Sequence, residues 1–253
     1  MYAAERQHWL LTRTREDGRV DVASVAQELD VTPETIRRDL GTLERQGLVR
    51  RVHGGAIPAD RLDFEPALGQ RDTLASQEKE RIAKAALAEL EGCLTVLLDA
   101  GTTTARLAQT LPTDREITVV TNSLSIASIL ATRPNVIVRL LGGRVRGTTM
   151  ATVDDWMTDT LATLTVDVAF VGTNGFSPER GLTTPDPAEA AAKRAMIAAA
   201  RRTVVLADAA KYGTDQFTRF ARLDQVDALV TDTDLDDDAA AAIEAAGPRV
   251  VRA

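Results

Sequence analysis

Seven short apolar runs, near residues 94–98, 117–121, 136–141, 166–171, 203–207, 226–231 and 249–252, alternate with helical segments through the later part of this 253-residue chain. Alternation of this kind restricts the fold class more than any other feature, because strands interleaved with helices pack as a mainly parallel sheet covered on both faces. It predicts an α/β, doubly wound architecture. A long helix from about Gln70 to Leu90, stopped by Gly92, is expected to lead into it.

Open sheets of this class bind ligands beyond the carboxyl ends of their strands, so the residues that follow each run carry the chemistry. LTVLLD ends at Asp99 before AGTTT; ITVVT leads to Asn122 and Ser123; VRLL leads to Gly142, Gly143 and Arg144; VAFVG leads to Thr173, Asn174 and Gly175; VVLAD ends at Asp208. AGTTTARLA opens a helix directly after a strand, and Gly101, Thr102, Thr103 and Thr104 offer N–H groups, hydroxyls and a positive helix end that suit a phosphate. It lacks the GxxxxGK of a Walker loop, and its threonines also fit plain helix caps. Lysine is scarce, four of the 30 basic residues, yet Lys193 and Lys211 both fall near loops at this edge. Glu189 and Lys193 equally fit an exposed i,i+4 pair worth about 0.2–0.5 kcal/mol, and Lys211 fits solvated surface.

The first 58 residues read differently. TPETIRRDLGTLERQGLVRRVHGGA packs five arginines and a histidine into a chain of formal net charge -7. A helix from Glu5 to about Arg15 offers Trp9 and Leu10 to a core and stops at the turn of Asp17 and Gly18. Asp21 is placed to cap a short helix carrying Val25, Ala26 and Leu29. After a turn at Asp30 and Val31, Thr32 caps a third helix over 33–46, with Pro33 in its first turn and Gly47 beyond its end. At 100° per residue, Ile36, Leu40 and Leu43 form one stripe. Arg38, Gly41, Thr42 and Arg45 face away, with Arg37 on the flank. LVRRV, a turn at Gly54 and Gly55, and AI then give a basic ribbon, completing a winged helix-turn-helix. A helix fits the major groove of DNA, and arginine supplies a fork for guanine or phosphate. Arg50, Arg51 and His53 on the ribbon are expected to hold phosphates. A solvated face with ordinary ion pairs is the plainer alternative. Asp39, near the core stripe, fits a structural ion pair to an arginine better than a base contact. Gly41 costs about 1 kcal/mol relative to alanine; close approach to DNA and simple tolerance both fit it.

Composition narrows the rest. MYAAERQHWLLTRTRED has no apolar core of a signal peptide, and the longest uncharged stretch, Ile117 to Thr132, is studded with Thr, Asn and Ser, so a cytoplasmic location and no membrane contact are expected. Cys93 has no second cysteine to pair with and reads as a core residue. With two histidines far apart, no zinc-type cluster is legible, and neither metal nor cofactor is expected. The polar, proline-bracketed PADRLDFEP marks a linker.

VDVASVAQELDVTPETIRRDLGTLERQGLVRRVHGGA resembles the DNA-binding signature of the DeoR family of bacterial transcription regulators, and LLDAGTTT, VVTNS, LLGGRVR, VGTNGF, GLTTPDPAEAAAKRAM and LADAAKYG resemble its sensor domain in order and spacing. The resemblance covers essentially the whole chain. It implies residues 1–58 as a DeoR-type winged helix-turn-helix, 59–69 as linker and 70–253 as a Rossmann-like sensor similar to ribose-5-phosphate isomerase. It further implies Thr35, Arg37 and Arg38 as groove contacts and a phosphorylated sugar as effector, held at its phosphate by Gly101 to Thr104 and lined by Asp99, Asn122, Asn174, Glu189, Lys193 and Lys211. VGTNGFSPERGLTTPDP looks most like regulators of fructose metabolism. Two departures stand out: Gly41, where relatives carry a longer side chain, and Asp154 in ATVDDW, where relatives often carry glycine.

The expectation is therefore a sequence-specific regulator, a repressor of a carbohydrate operon, acting as a homodimer or homotetramer on double-stranded operator DNA under control of a sugar phosphate. A sugar-phosphate isomerase or deaminase with an appended DNA module would need a positioned acid or base, for which Glu189 and Asp186 are the candidates. Docking of the winged helix on protein is disfavoured by its outward arginines.

Overall fold

The computed structural model describes residues 3–45, 48–52, 54–58 and 68–253, and the chain divides into two compact units, Met1–Phe64 and Glu65–Ala253. His53, the Gly47 stop and residues 59–67 of the expected linker lie outside the described residues.

The first unit holds α1 (Ala3–Asp17), β1 (Val20–Asp21), α2 (Val22–Glu28), α3 (Pro33–Arg45), β2 (Val49–Val52) and β3 (Gly55–Pro58). Each start and stop has a local cause. Gly18 ends α1 at φ 76°, a left-handed turn that glycine enters without strain. Asp21 caps α2 by accepting from the Ser24 N–H at 2.9 Å, and the Thr32 hydroxyl accepts from Thr35 N at 3.3 Å to open α3. Ile36, Leu40 and Leu43 are buried as one stripe with Leu10, Val25, Ala26 and Val49, with Trp9 half-buried against them. The strands pair in the order β1-β3-β2. Gly55 is needed there, since a Cβ would meet the Val20 carbonyl at 1.9 Å.

The second unit runs α4 (Leu68–Thr73), α5 (Ser76–Ala86), β4 (Thr95–Leu98), α6 (Thr102–Thr110), β5 (Ile117–Thr121), α7 (Leu124–Leu130), β6 (Val136–Leu140), β7 (Arg144–Arg146), β8 (Ala151–Val153), α8 (Asp155–Ala162) and β9 (Val168–Gly172). It continues through β10 (Gly175–Ser177), β11 (Gly181–Thr184), α9 (Pro187–Ala199), β12 (Thr203–Leu206), β13 (Thr218–Ala221), β14 (Ala228–Thr231), α10 (Asp237–Ala245) and β15 (Arg249–Arg252). Seven strands form one parallel sheet ordered β15-β14-β12-β9-β4-β5-β6. Successive side chains alternate between its faces. Leu97, Ala169, Val171, Val205 and Leu229 join one apolar cluster, while Val96, Leu98, Phe170, Val204, Leu206 and Val230 join the other, which also takes Cys93. Burying a side chain the size of Phe170 contributes about 1.5–3 kcal/mol, which is why runs buried on both faces carry almost no polar residues.

Two expectations change. The helix expected over 70–90 is broken: α4 and α5 flank a turn with Ala75 at φ 49°, and Leu87–Leu90 tightens into a 3-10 turn. The buried Lys79 ammonium accounts for the break, donating to the carbonyls of Arg71 at 2.5 Å and Leu74 at 2.6 Å that close α4. The sequence also gives no warning of two antiparallel additions, the β7-β8 hairpin and the three-stranded sheet β10-β11-β13, whose strands of three or four residues are too short for a period to register.

Candidate functional site

Along α3 the side chains divide by face. Asp39 turns inward and is 4% exposed. Its Oδ2 accepts from Arg6 Nε at 2.5 Å and its Oδ1 from Gln7 Nε2 at 3.0 Å, so the acid pairs with an arginine of α1. Arg37, Arg38 and Arg45 are exposed, Thr35 and Thr42 half-buried. Arg37 Nη1 lies 3.3 Å from Glu34 Oε2 across an exposed pair, worth at most about 0.5 kcal/mol and so readily exchanged for another partner. Arg45 Nη2 donates to the Thr42 hydroxyl at 3.0 Å, which donates to the Arg38 carbonyl at 3.1 Å. Arg38 makes no ion pair among the described residues. On the ribbon, Arg51 is exposed and its N–H donates to Glu44 Oε1 at 2.7 Å, tying β2 to α3. Arg50 is half-buried, and burial lowers its guanidinium from the usual range. A Cβ at Gly41 would meet nothing closer than Arg45 Nη1 at 3.8 Å.

In the second unit the strand order reverses between β4 and β9, the topological position at which open α/β sheets bind ligands beyond the carboxyl ends of their strands. Lys193, reaching from α9 and 4% exposed, bridges that point. Its Nζ donates to Asp99 Oδ2, at the end of β4, and at 2.9 Å to the carbonyl of Gly172, which ends β9; the Gly172 N–H donates back to Asp99 Oδ2 at 2.9 Å. Burial pushes the Asp99 carboxyl upward and Lys193 opposes it. Beside Asp99, Gly101 to Thr104 open α6 with all four residues buried and no side-chain cap on the helix start. Asn122 is 2% exposed and holds this loop in place, accepting from Ala100 N at 2.9 Å and donating to the Thr152 carbonyl at 3.1 Å.

Further around the edge, the Asn174 side chain accepts from the Thr184 hydroxyl at 3.1 Å. Glu189 is 7% exposed and its Oε1 accepts from the Thr149 hydroxyl at 2.6 Å and from Arg146 Nη1 at 3.1 Å. Asp186 caps α9 through Ala188 N and Glu189 N at 2.9 and 3.0 Å and also pairs with Arg146 Nε at 3.0 Å. Both carboxylates are thus spent on one arginine and on local donors, unlike an acid or base poised for substrate. Arg146 was not singled out in the sequence. Arg144 was, and its side chain is exposed, with its N–H donating to Asp154 Oδ2 at 2.8 Å.

Cations gather around Asp208, beyond the end of β12. Lys211 Nζ lies 3.4 Å from Asp208 Oδ2, and burial lowers its ammonium, with Asp208 opposing and Arg71 and Lys193 adding repulsion. Lys79, 3% exposed, is pulled down to about 8 by burial, with repulsion from Lys211, Arg71 and Arg106 outweighing help from Asp208. Its role had no sequence signal beyond the scarcity of lysine. Among the described residues no group of three or more His, Cys, Asp or Glu gathers as metal ligands, and no helix is long and apolar enough to cross a membrane.

Residues 6–61 match the DeoR-like helix-turn-helix domain and residues 74–233 the DeoR C terminal sensor domain. The HTH-type transcriptional regulator GlpR of Haloferax volcanii is 38% identical over 99% of this chain and 98% of its own. The uncharacterized HTH-type transcriptional regulator FruR of Bacillus subtilis is 33% identical over 92% and 93%, and the glycerol-3-phosphate regulon repressor of Escherichia coli 28% over 92% and 92%. A ribose-5-phosphate isomerase in complex with phospho-erythronic acid matches at TM-score 0.41 and 20% identity over 55% of each chain. By both family matches and by relatives aligned end to end, the chain belongs to the DeoR family, as a DNA-binding transcription regulator rather than an enzyme.

Proposed function

We propose that the chain is a repressor that binds a specific operator through α3 and the β2-β3 ribbon and is controlled by a phosphorylated sugar bound at the carboxyl edge of the parallel sheet. The observation that carries the sensor half is Lys193 bridging the reversal point between β4 and β9 beside an α6 start with no side-chain cap. Thr35, Arg37 and Arg38 read bases; Thr42, Arg45, Arg50, Arg51 and His53 hold phosphates and set register. Gly101 to Thr104 take the effector's phosphate on the positive helix end, and Asp99, Asn122, Arg144, Asn174, Glu189, Lys193 and Lys211 surround the sugar. A fructose phosphate is the favoured effector, resting on VGTNGFSPERGLTTPDP; the name of the Escherichia coli relative makes glycerol 3-phosphate the comparison to run.

Paired heads on a two-fold operator require at least a homodimer, with half-sites about one helical turn or a multiple apart. The effector acts by linkage, shifting the balance between arrangements of the heads, and the operator alters effector affinity by the same factor. Gel retardation with and without fructose 1-phosphate, fructose 6-phosphate and glycerol 3-phosphate, beside thermal shift with the same panel, tests both halves. The expected result is one retarded operator and one sugar phosphate that both stabilises the protein and changes retardation. Arg38→Ala is expected to abolish retardation and keep the thermal shift. Equal, weak retardation of every duplex, unmoved by any of the three ligands, overturns the proposal.

A further inference from the structure

α4 is the first described element after residues 59–67, and two cations from deeper in the sensor unit hold it. Arg106 of α6 donates through Nη1 to Asp72 Oδ1 at 2.6 Å and to the Thr102 carbonyl at 3.3 Å. Through Nη2 it donates to the Asp72 carbonyl at 3.1 Å and the Ser76 hydroxyl at 2.8 Å. Lys79 of α5 donates to the carbonyls of Arg71 and Leu74, acceptors that a helix end leaves without an internal partner. With six residues, α4 is far too short to persist by itself. Its order therefore depends on contacts from the rest of the unit: the Leu68 N–H donates to the Thr148 carbonyl at 3.0 Å, and each of the two cations adjoins a group proposed to hold the effector, Arg106 contacting Thr102 and Lys79 lying in the field of Lys211.

We propose that Lys79 is the positioning residue through which occupancy of the strand-end site reaches α4: its Nζ donates to the α4 carbonyls, its buried positive charge works against that closure beside neighbouring cations, and a phosphate dianion offsets the charge and firms the grip. The charged groups bearing on Lys79 are Lys211 and Asp208 beyond the end of β12, Arg71 on α4 and Arg106 on α6. A like charge disfavours an ammonium and an opposite charge restores it. Burial first, and then three cations against one carboxylate, disfavour Lys79 as an ammonium. The sign follows by linkage. Lys79 titrates near 8 when α4 is closed on it, below the ordinary 10.5 that an opened, hydrated lysine regains. The closed form binds fewer protons, so raising the pH favours closure, as an added anion does.

The inference rests on the reading of this edge as a sugar-phosphate site, but one arm of its test does not. Hydrogen exchange on the full chain, corrected for the chemical exchange rate, follows the amides of residues 68–76. In the parent without added anion, protection is expected to rise by up to about tenfold between about pH 7 and about pH 9, the limit set by about 8 closed and the ordinary 10.5 open. At about pH 7, fructose 1-phosphate is expected to raise the same amides at least about fivefold, a usual coupling between sites. Lys79→Met is expected to flatten both responses, while thermal shift with the sugar phosphate persists and protection of the parallel sheet is unchanged. Lys79→Arg, which cannot titrate in this range, keeps the response to ligand and loses the response to pH. Parent-like responses in Lys79→Met overturn the inference, as does a parent that binds the sugar phosphate with no change in 68–76. A parent that binds none of the sugar phosphates while keeping its pH response sinks the effector reading alone.

Discussion

The Lys193 ammonium pairs with the Asp99 carboxylate with both side chains at or below 5% exposure, and the same nitrogen holds the Gly172 carbonyl, so one residue of α9 joins the ends of two adjacent strands. Breaking a buried pair from one side leaves an uncompensated charge and costs about 3–5 kcal/mol. Lys193→Met is expected to lose that much in urea denaturation, and Lys193→Met with Asp99→Asn to recover most of it. Burial pushes Asp99 up even with its partner present. In the single variant the folded state therefore binds more protons than the unfolded one, and stability is expected to rise as the pH falls from about 7 toward the ordinary carboxylate range.

Arg6 of α1 pairs with Asp39 of α3 at 2.5 Å. Asp39→Ala is expected to destabilise the protein by about 3 kcal/mol by removing the buried carboxylate that Arg6 Nε and Gln7 Nε2 share. It should also weaken operator retardation, although the carboxylate faces away from the arginines of α3, because the pair sets how α3 lies on α1. Arg6→Met with Asp39→Leu, matched apolar replacements, is expected to restore the melting temperature.

Gly41 sits inside α3 with space around it. Gly41→Ala is expected to stabilise the head by about 0.5–1 kcal/mol through backbone entropy, read as a higher urea midpoint. Operator affinity distinguishes the two accounts of this glycine: unchanged binding means tolerance, and a loss of tenfold or more, about 1.4 kcal/mol, means that DNA approaches the bare backbone.

Asp154 stands at φ 104°, a conformation that favours glycine, yet its carboxylate accepts from Trp156 N at 3.1 Å and Arg144 N at 2.8 Å. Strain of about 1–3 kcal/mol is thus offset by two hydrogen bonds. Asp154→Ala keeps the strain and loses both bonds, and is expected to cost about 2 kcal/mol or more. Asp154→Gly sheds the strain as well and is expected to lie within about 1 kcal/mol of the parent in the same denaturation assay.

Asp167 accepts from the Thr95 hydroxyl and from the N–H groups of Thr95 and Leu94 at 2.8, 2.9 and 3.0 Å, and these bonds, the hydroxyl's first, hold its carboxyl below the usual 3.8. A depressed carboxyl contributes stability above its unfolded value and loses it as the pH falls through its folded one. Asp167→Asn is expected to lower stability at neutral pH and to narrow the gap to the parent below about pH 3, by thermal melts across the acid range.

Much of this architecture is written locally. The stripe of Ile36, Leu40 and Leu43, the caps at Asp21 and Thr32 and the seven parallel strands each follow from residues within a turn or two of one another, and a short window carries them. Asp39 reads as a carboxylate near the core, but its partner is 33 residues away and cannot be read from spacing. The break at Ala75 has neither glycine nor proline to announce it; its cause is an ammonium four residues on, folded back over the turn. Arg146 and Lys79 were invisible for the same reason. A strand-end residue shows itself by position, whereas a cation that reaches an edge from another element shows itself only once the chain is folded.

The division of the core has a genetic corollary. Among the described residues, every apolar residue of the head's core, from Leu10 to Ala56, is encoded before residue 58, whereas the cation edge gathers groups from Arg71 to Lys211. On the proposed reading, a premature stop after residue 64 spares the reader and deletes its governor, and such alleles are expected to behave as deaf regulators rather than as simple knockouts.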